Sequence, residues 1–235
     1  MRKFFKIKFN KKIIIIAARP KTFDIGIINN TFYKECAYAA PDAIDPEVIF
    51  DIGANIGIIS IYYSLMYPRA KIYSFEPLPE NYELLKMNAA LNSNKIVPIQ
   101  KGLGSKEGYY TYYFSNIPAD FGGGGFKKIK CNKNKKIKLL VTTIGKFIRE
   151  AKIKKIDILK IDTEGMEFDI ITAIPRNILK HVKFITGECH GIRDLELFLY
   201  LSEFFNLGFH KMWHNGLISF KAVNKKIFHN AKYIT

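Results

Sequence analysis

Two short stretches carry more chemistry than core strands need. "ILKIDTEGMEFD" (158–169) opens as an apolar strand, yet it holds Lys160 and closes on Asp162, Glu164, Glu167 and Asp169. "ITGECHG" (185–191) ends in Glu188, Cys189 and His190. Side chains alternate along a strand, so Lys160 and Asp162 share one face, as do Glu188 and His190. A charge inside a core costs several kcal/mol unless paired, so Lys160 implies a partner or a task. If the two strands are neighbours, Asp162, Glu164, Glu188 and His190 converge at one mouth. Three chemistries suit that set. His190, with an ordinary pKa of about 6.5, can serve as a general base. Lys160 can pair with Asp162 or Glu188, or take a proton itself if its pKa is depressed. Asp162, Glu164, Glu188 and His190 can also hold a divalent metal ion. Glu167 and Asp169 suit the start of a helix, where negative charge is favoured.

The elements that must position these groups alternate between strand and helix. "VIFDIGANIGIISIYYSLMYP" (48–68) is a strand, a glycine-rich turn and a helix ended near Pro68. "AKIYSFEPLPENYELLKMNAALN" (70–92) repeats the unit, with a strand over 71–75 and a helix over 79–91. "KIVPIQKGLGS" gives a third strand and turn, and "YYTYYF" (109–114) alternates as an exposed or edge strand does. A strand and helix follow in "LLVTTIGKFIREAK", then a strand over 156–162, a helix from about Glu167 to Ala173, and the strand of "VKFITGECHG". "RDLELFLYLSEFFNLG" reads as a helix closed by Gly208, and Asn215–Gly216 as the turn of a final antiparallel hairpin. This pattern predicts an α/β three-layer sandwich on a mostly parallel sheet, with ligands at the strands' C-terminal ends. Residues 1–46, with β-type runs at 4–9, 13–17 and 25–28, read as an N-terminal extension packed on a domain spanning 47–235.

The first turn, Asp51-Ile-Gly-Ala-Asn-Ile-Gly57, lies where a nucleotide would bind, but it is not the GxGxxG loop that cradles pyrophosphate. Asp51 ends the strand instead. An acid there repels phosphate and suits a cationic ligand. Gly53 lets the chain turn, and Gly57 lets the helix approach closely. Glu76, before Pro77, ends the next strand, where a carboxylate can accept both ribose hydroxyls. A nucleoside with a positive centre and no phosphate fits both acids, and S-adenosylmethionine (SAM) is that molecule. "GLGS", with Gly104 and Ser105, would lie beside its adenine.

"FDIGANIGIIS", "SFEPLPENYELLKMN", "GLGSKEG", "TTIGKFI", "DILKIDTEGMEFDII" and "ITGECHG" occur in that order between residues 48 and 191. Together they resemble the FkbM-type SAM-dependent methyltransferases. The resemblance implies a class I methyltransferase with a Rossmann-like, seven-stranded sheet, and O-methylation of hydroxyls on natural products or sugars. It makes Asp51, Gly53, Asn55, Gly57, Glu76 and Pro77 cofactor residues. It places Lys160, Asp162, Glu188 and His190 on the reaction side, with Asp162 also near the cofactor.

The chain has 235 residues, is 48% hydrophobic and carries a formal net charge of +16. That hydrophobic content argues against disorder. The charge invites an anionic partner, so methylation of RNA is an alternative, as is a SAM-binding module without catalysis. No NPPY or DPPY tetrapeptide and no Pro-Cys pair supports nucleic-acid chemistry. Cys36, Cys131 and Cys189 are odd in number and form no CxxC pair, which suits a reducing, cytoplasmic compartment. No stretch is long and apolar enough to span a membrane. "FGGGGF" (121–126) and the lysine-rich segment after it read as a mobile surface loop.

Overall fold

The computed structural model describes residues 2–115, 124–126, 135–190, 193–211 and 218–227. The apolar runs found in the sequence become the middle of one seven-stranded sheet. Its parallel strands are β3 (Val48–Ile52), β4 (Lys71–Phe75), β5 (Ile96–Ile99), β9 (Ile158–Ile161) and β10 (Phe184–Cys189). The antiparallel pair β11 (Phe205–Lys211) and β12 (Ile218–Asn224) completes it, in the order β11-β12-β10-β9-β3-β4-β5. β3 and β9 are neighbours, with Asp51 opposite Lys160, and β9 pairs with β10, with Lys160 opposite Thr186. The two chemistry-bearing strands therefore end side by side.

Helices α2 (Ile58–Met66), α3 (Pro79–Asn92), α4 (Ile144–Glu150), α5 (Glu167–Thr172), α6 (Arg176–Leu179) and α7 (Asp194–Leu201) flank the sheet. Two apolar clusters, one on each face, fill the layers, and Ile49, Phe50, Ile158 and Leu159 are fully buried. A second sheet, in the order β6-β8-β7, joins β6 (Gly102–Leu103), β7 (Gly108–Phe114) and β8 (Lys135–Thr142). The alternating aromatic run of β7 belongs to it. The lysine-rich segment expected to be loop is already strand at Lys135 and Lys136.

Residues 2–46 form the hairpin of β1 (Lys3–Phe9) and β2 (Lys12–Ala18), and then α1 (Phe23–Phe32). The expected third strand at 25–28 is helical instead. Thr22 caps α1 by accepting from Asp24 N, and the Asp24 carboxylate in the first turn is held by Arg19, so local capping overrides the β-branched run. Gly208, expected to close a helix, lies inside β11 opposite Lys221, because pairing with β12 claims that backbone. The hairpin's expected turn, Asn215–Gly216, lies outside the described residues.

The outer edge of β2 is closed by amides from α3. Asn88 Oδ1 accepts from Ala17 N at 2.7 Å, and its Nδ2 donates to Ala17 O at 3.0 Å and Ile56 O at 2.7 Å. Asn92 repeats the exchange with Ile15 N and O. Four residues of helix rise about 6 Å, close to two residues of strand, so amides four apart reach strand positions two apart. Replacing Asn88 with Ala strands three buried backbone groups. It should lower stability by about 3 kcal/mol in urea unfolding, on the scale of orphaned buried polar groups.

Candidate functional site

The glycine turn is shaped by what lies against it. Gly53 has φ 77°, and a Cβ there would meet the carbonyl oxygen of Asp162 at 1.8 Å. Gly57 has φ 87°, and a Cβ there would strike the Leu85 side chain. The turn is thus pressed between the end of β9 and helix α3.

Beneath it sits a buried ion pair. Lys160 Nζ lies 3.3 Å from Asp51 Oδ1 and donates to Gly53 O at 2.7 Å. Asp51 Oδ2 accepts from Ser60 Oγ at 2.5 Å. Burial opposes the ammonium, but the Asp51 and Asp162 charges outweigh it and raise the Lys160 pKa. Lys160 is therefore a fixed cation paired with Asp51, rather than a depressed-pKa base paired with Asp162 or Glu188. Asp51, expected to face a cationic ligand, is fully buried and does not line the cleft.

Asp162, Glu188 and His190 come together as their strands imply, with potential ligand atoms within 4.8 Å of one another. Two partners were not legible in advance. Tyr38, from the segment after α1, donates to Glu188 Oε1 at 2.7 Å, sits 3.3 Å from Asp162 Oδ2, and lays its ring 5.2 Å from Lys160 Nζ. Glu167, expected only to start a helix, turns back into the site. It accepts from Thr163 N, Thr163 Oγ1 and Gly165 N, and its Oε1 lies 3.5 Å from His190 Nδ1. The other imidazole nitrogen, Nε2, faces Glu188 Oε2 at 3.5 Å.

These contacts divide the titrations. Burial works against charge on His190, but Glu167 and Glu188 outweigh it and push its pKa up to about 11. His190 is an imidazolium at neutral pH, not the neutral base expected of it. Burial also opposes the Glu188 charge, but His190 and Tyr38 overcome it and hold Glu188 below the usual carboxylate range. Asp162 is left with the excess: burial and then the Glu188 charge raise its pKa to about 7. Burial, with the Asp162 and Glu188 charges, keeps the Tyr38 phenol protonated.

Asp162 and Glu164 also line an open cleft at the strands' C-terminal ends. Gly53, Asn55, Glu76 and Pro77 form another wall. Glu76 is buried, accepting from Asn55 N and Leu78 N, and burial raises its pKa to about 7. Lys101, Gly102 and Leu103 reach the cleft, whereas Gly104 and Ser105 do not. Tyr112 and Phe126, rings 5.0 Å apart, close another side, so Tyr112 is a cleft residue as well as sheet packing. Gly124 and Gly125 pass over Tyr112 and Glu164, and Gly125 pairs with Tyr113. That part of the expected loop is a wall of the cleft, while 121–123, 127–134 and Cys131 lie outside the described residues.

A buried carboxylate beside an aromatic wall, in a cleft at the C-terminal ends of the strands, suits a nucleoside such as that of SAM. Gly53, Asn55, Glu76 and Pro77 would hold it. For a divalent ion, Asp162, Glu188 and His190 have suitable donors. Glu164, the fourth expected ligand, is not in that group. A cation there competes with the imidazolium proton and the Tyr38 hydroxyl.

Residues 51–211 match the family model described as the methyltransferase FkbM domain. Methyltransferase sdnD of Sordaria araneosa is 31% identical over 78% of this chain and 85% of its own length. Hexuronic acid methyltransferase AglP of Haloferax volcanii is 26% identical over 69% of this chain and 64% of its own length. The crystal structure of methyltransferase FkbM from Methylobacillus flagellatus superposes with a TM-score of 0.55 at 18% identity, over 76% of this chain and 44% of that one. The shared architecture is the class I methyltransferase fold.

The carboxylate that holds His190 charged is open to test. Glu167→Gln should lower the His190 pKa by more than about one unit, read by NMR titration of the imidazole. An unchanged value would remove Glu167 from this role.

Proposed function

We propose that this chain, which belongs to the FkbM methyltransferase family, methylates a hydroxyl of a sugar or small natural product from SAM. The observation that carries the reading is Asp162: a carboxyl poised near neutrality, on the wall of the cleft, beside Glu188, which Tyr38 and His190 hold, and near two fixed cations. An alcohol is a weak nucleophile near pH 7, so its proton must go to a positioned base. The relative that acts on a hexuronic acid supports a sugar acceptor.

SAM, when bound, supplies a methyl group on a cationic sulfur and carries its own leaving group. The rest is positioning. Glu76, with Asn55, holds the nucleoside end of the cleft. The Asp162 carboxylate accepts the acceptor hydroxyl's proton. Tyr38, protonated throughout, fixes the carboxylates of Asp162 and Glu188. His190 and Lys160 limit the negative charge that builds as Asp162 ionises. The raised Asp162 pKa keeps its basicity matched to working pH, where general-base efficiency is greatest.

The sign of the pH dependence follows. The base must be ionised, so kcat should rise with pH through about 7 and level off above it. Measuring at saturating SAM removes the titration of Glu76 from the profile. Asp162→Asn should lower kcat by about 10²–10⁴-fold while calorimetric SAM binding persists. Full activity in Asp162→Asn would overturn the assignment of the base. No SAM binding at high protein concentration would overturn the enzyme reading altogether.

The cluster of Asp162, Glu188 and His190 favours a second reading, in which a divalent ion orients the hydroxyl. The expected result is a rate unaffected by EDTA. Loss with EDTA and recovery with Mg²⁺ would assign the cluster to the metal.

A further inference from the structure

The β1–β2 hairpin presents one face to the core and one to solvent. Ile7, Ile14 and Ile16 are buried, with Phe5 and Phe9 packed against the same cluster. On the other face the register places Lys8 opposite Ile13 and Lys6 opposite Ile15, while Phe4 stands opposite Ala17, which is buried. There Phe4 is 58% and Ile13 61% exposed, and Ile15, Lys6 and Lys8 are exposed too. Lys3, Lys11 and Lys12 add charge at the hairpin's ends, and no acidic residue occurs before Asp24. None of these five lysines has a carboxylate within ion-pair distance among the described residues.

Lysines alone would protect an open sheet edge from pairing with another strand. They do not require Phe4, Ile13 and Ile15 on the same solvent-facing surface. Nor do isoleucines suit nucleic acid, where bases stack on aromatic rings and phosphates take cations. Apolar side chains interleaved with lysines suit a boundary that is anionic at its surface and apolar just beneath. We propose that this face of the hairpin docks on anionic lipid bilayers: Lys6 and Lys8 meet headgroup charge, and Phe4, Ile13 and Ile15 enter the acyl boundary. The contact is peripheral, and no helix among the described residues is long and apolar enough to cross a membrane.

Co-sedimentation of the full chain with vesicles tests this. Vesicles of phosphatidylcholine with phosphatidylglycerol should pellet the protein, and phosphatidylcholine alone should not. The paired change Lys6→Glu and Lys8→Glu should weaken binding at least about tenfold, as should molar salt, which shortens the screening length to about 3 Å. Phe4→Ser with Ile13→Ser should weaken it by a similar factor at low salt, with thermal melting unchanged because both side chains are exposed. Equal binding to neutral vesicles, no binding to either, or binding indifferent to both variants would overturn the proposal. So would an apolar variant that instead dissolves a dimer seen by light scattering, or RNA displacing the protein from the anionic vesicles.

Discussion

The ion pair between Lys160 and Asp51 is the constraint on which the site rests. β3 and β9 are parallel neighbours, so these opposite residues share a face and meet in the middle of the sheet. Neither charge has water to fall back on, and removing one partner of such a pair costs about 3–5 kcal/mol. The pair is tolerated because its remaining valences are used. Lys160 donates to Gly53 O, and Asp51 accepts from Ser60, which bonds Ser74 in turn. One buried ammonium thereby ties the sheet's centre to the glycine turn above it.

The same ammonium shapes the electrostatics around Asp162. Asp51, Asp162, Glu188 and Glu167 lie around two cations, Lys160 and imidazolium His190. Asp51 claims Lys160, and Glu167 and Glu188 claim His190. Asp162 feels both cations but owns neither, and it shares Tyr38 with Glu188. Its raised pKa follows from that shortage of partners in a buried place. A neutral donor such as Tyr38 suits the space between two carboxylates, where a third cation would lower the Asp162 pKa. Arg19 does a parallel job at the Glu76 side of the cleft, gripping Asp24 and donating to Asn81, which reaches Glu76. Residues before the main sheet thus brace both ends of the cleft.

Much of this was legible in the sequence, for definite reasons. Strand alternation placed Lys160 with Asp162 and Glu188 with His190. The spacing of Asp51, Gly53, Gly57 and Glu76 marked the turn and the carboxylate beyond it. The partners of those residues were less visible, because pairing depends on contacts between distant segments. Tyr38 meets Glu188 across 150 residues, and nothing local in "ECAYAAP" announces that. Glu167 looked like a helix-start acid because it is one. Its second role appears only once Glu164, at φ 57°, and Gly165, at φ 106°, turn the chain back on itself. His190 could not be assigned a protonation state before Glu167 was placed beside it. Gly104 and Ser105 lie past the cleft lining, because β6 carries the chain into the second sheet and leaves Lys101 to Leu103 at the opening.

The cleft and Asp162 are not two devices placed near each other. Asp162 N donates to Ile52 O at 3.0 Å, and the Asp162 carbonyl occupies the space where Gly53 would carry a Cβ. A side chain at Gly53 would push apart the glycine turn and the Asp162 backbone. Displacements of about 1 Å are enough to cost an enzyme large factors in rate, since reacting atoms must sit near contact distance. The missing Cβ at Gly53 is therefore a statement about register. It fixes the distance between the glycine turn and Asp162 through one backbone contact, and Lys160 pins that contact from below.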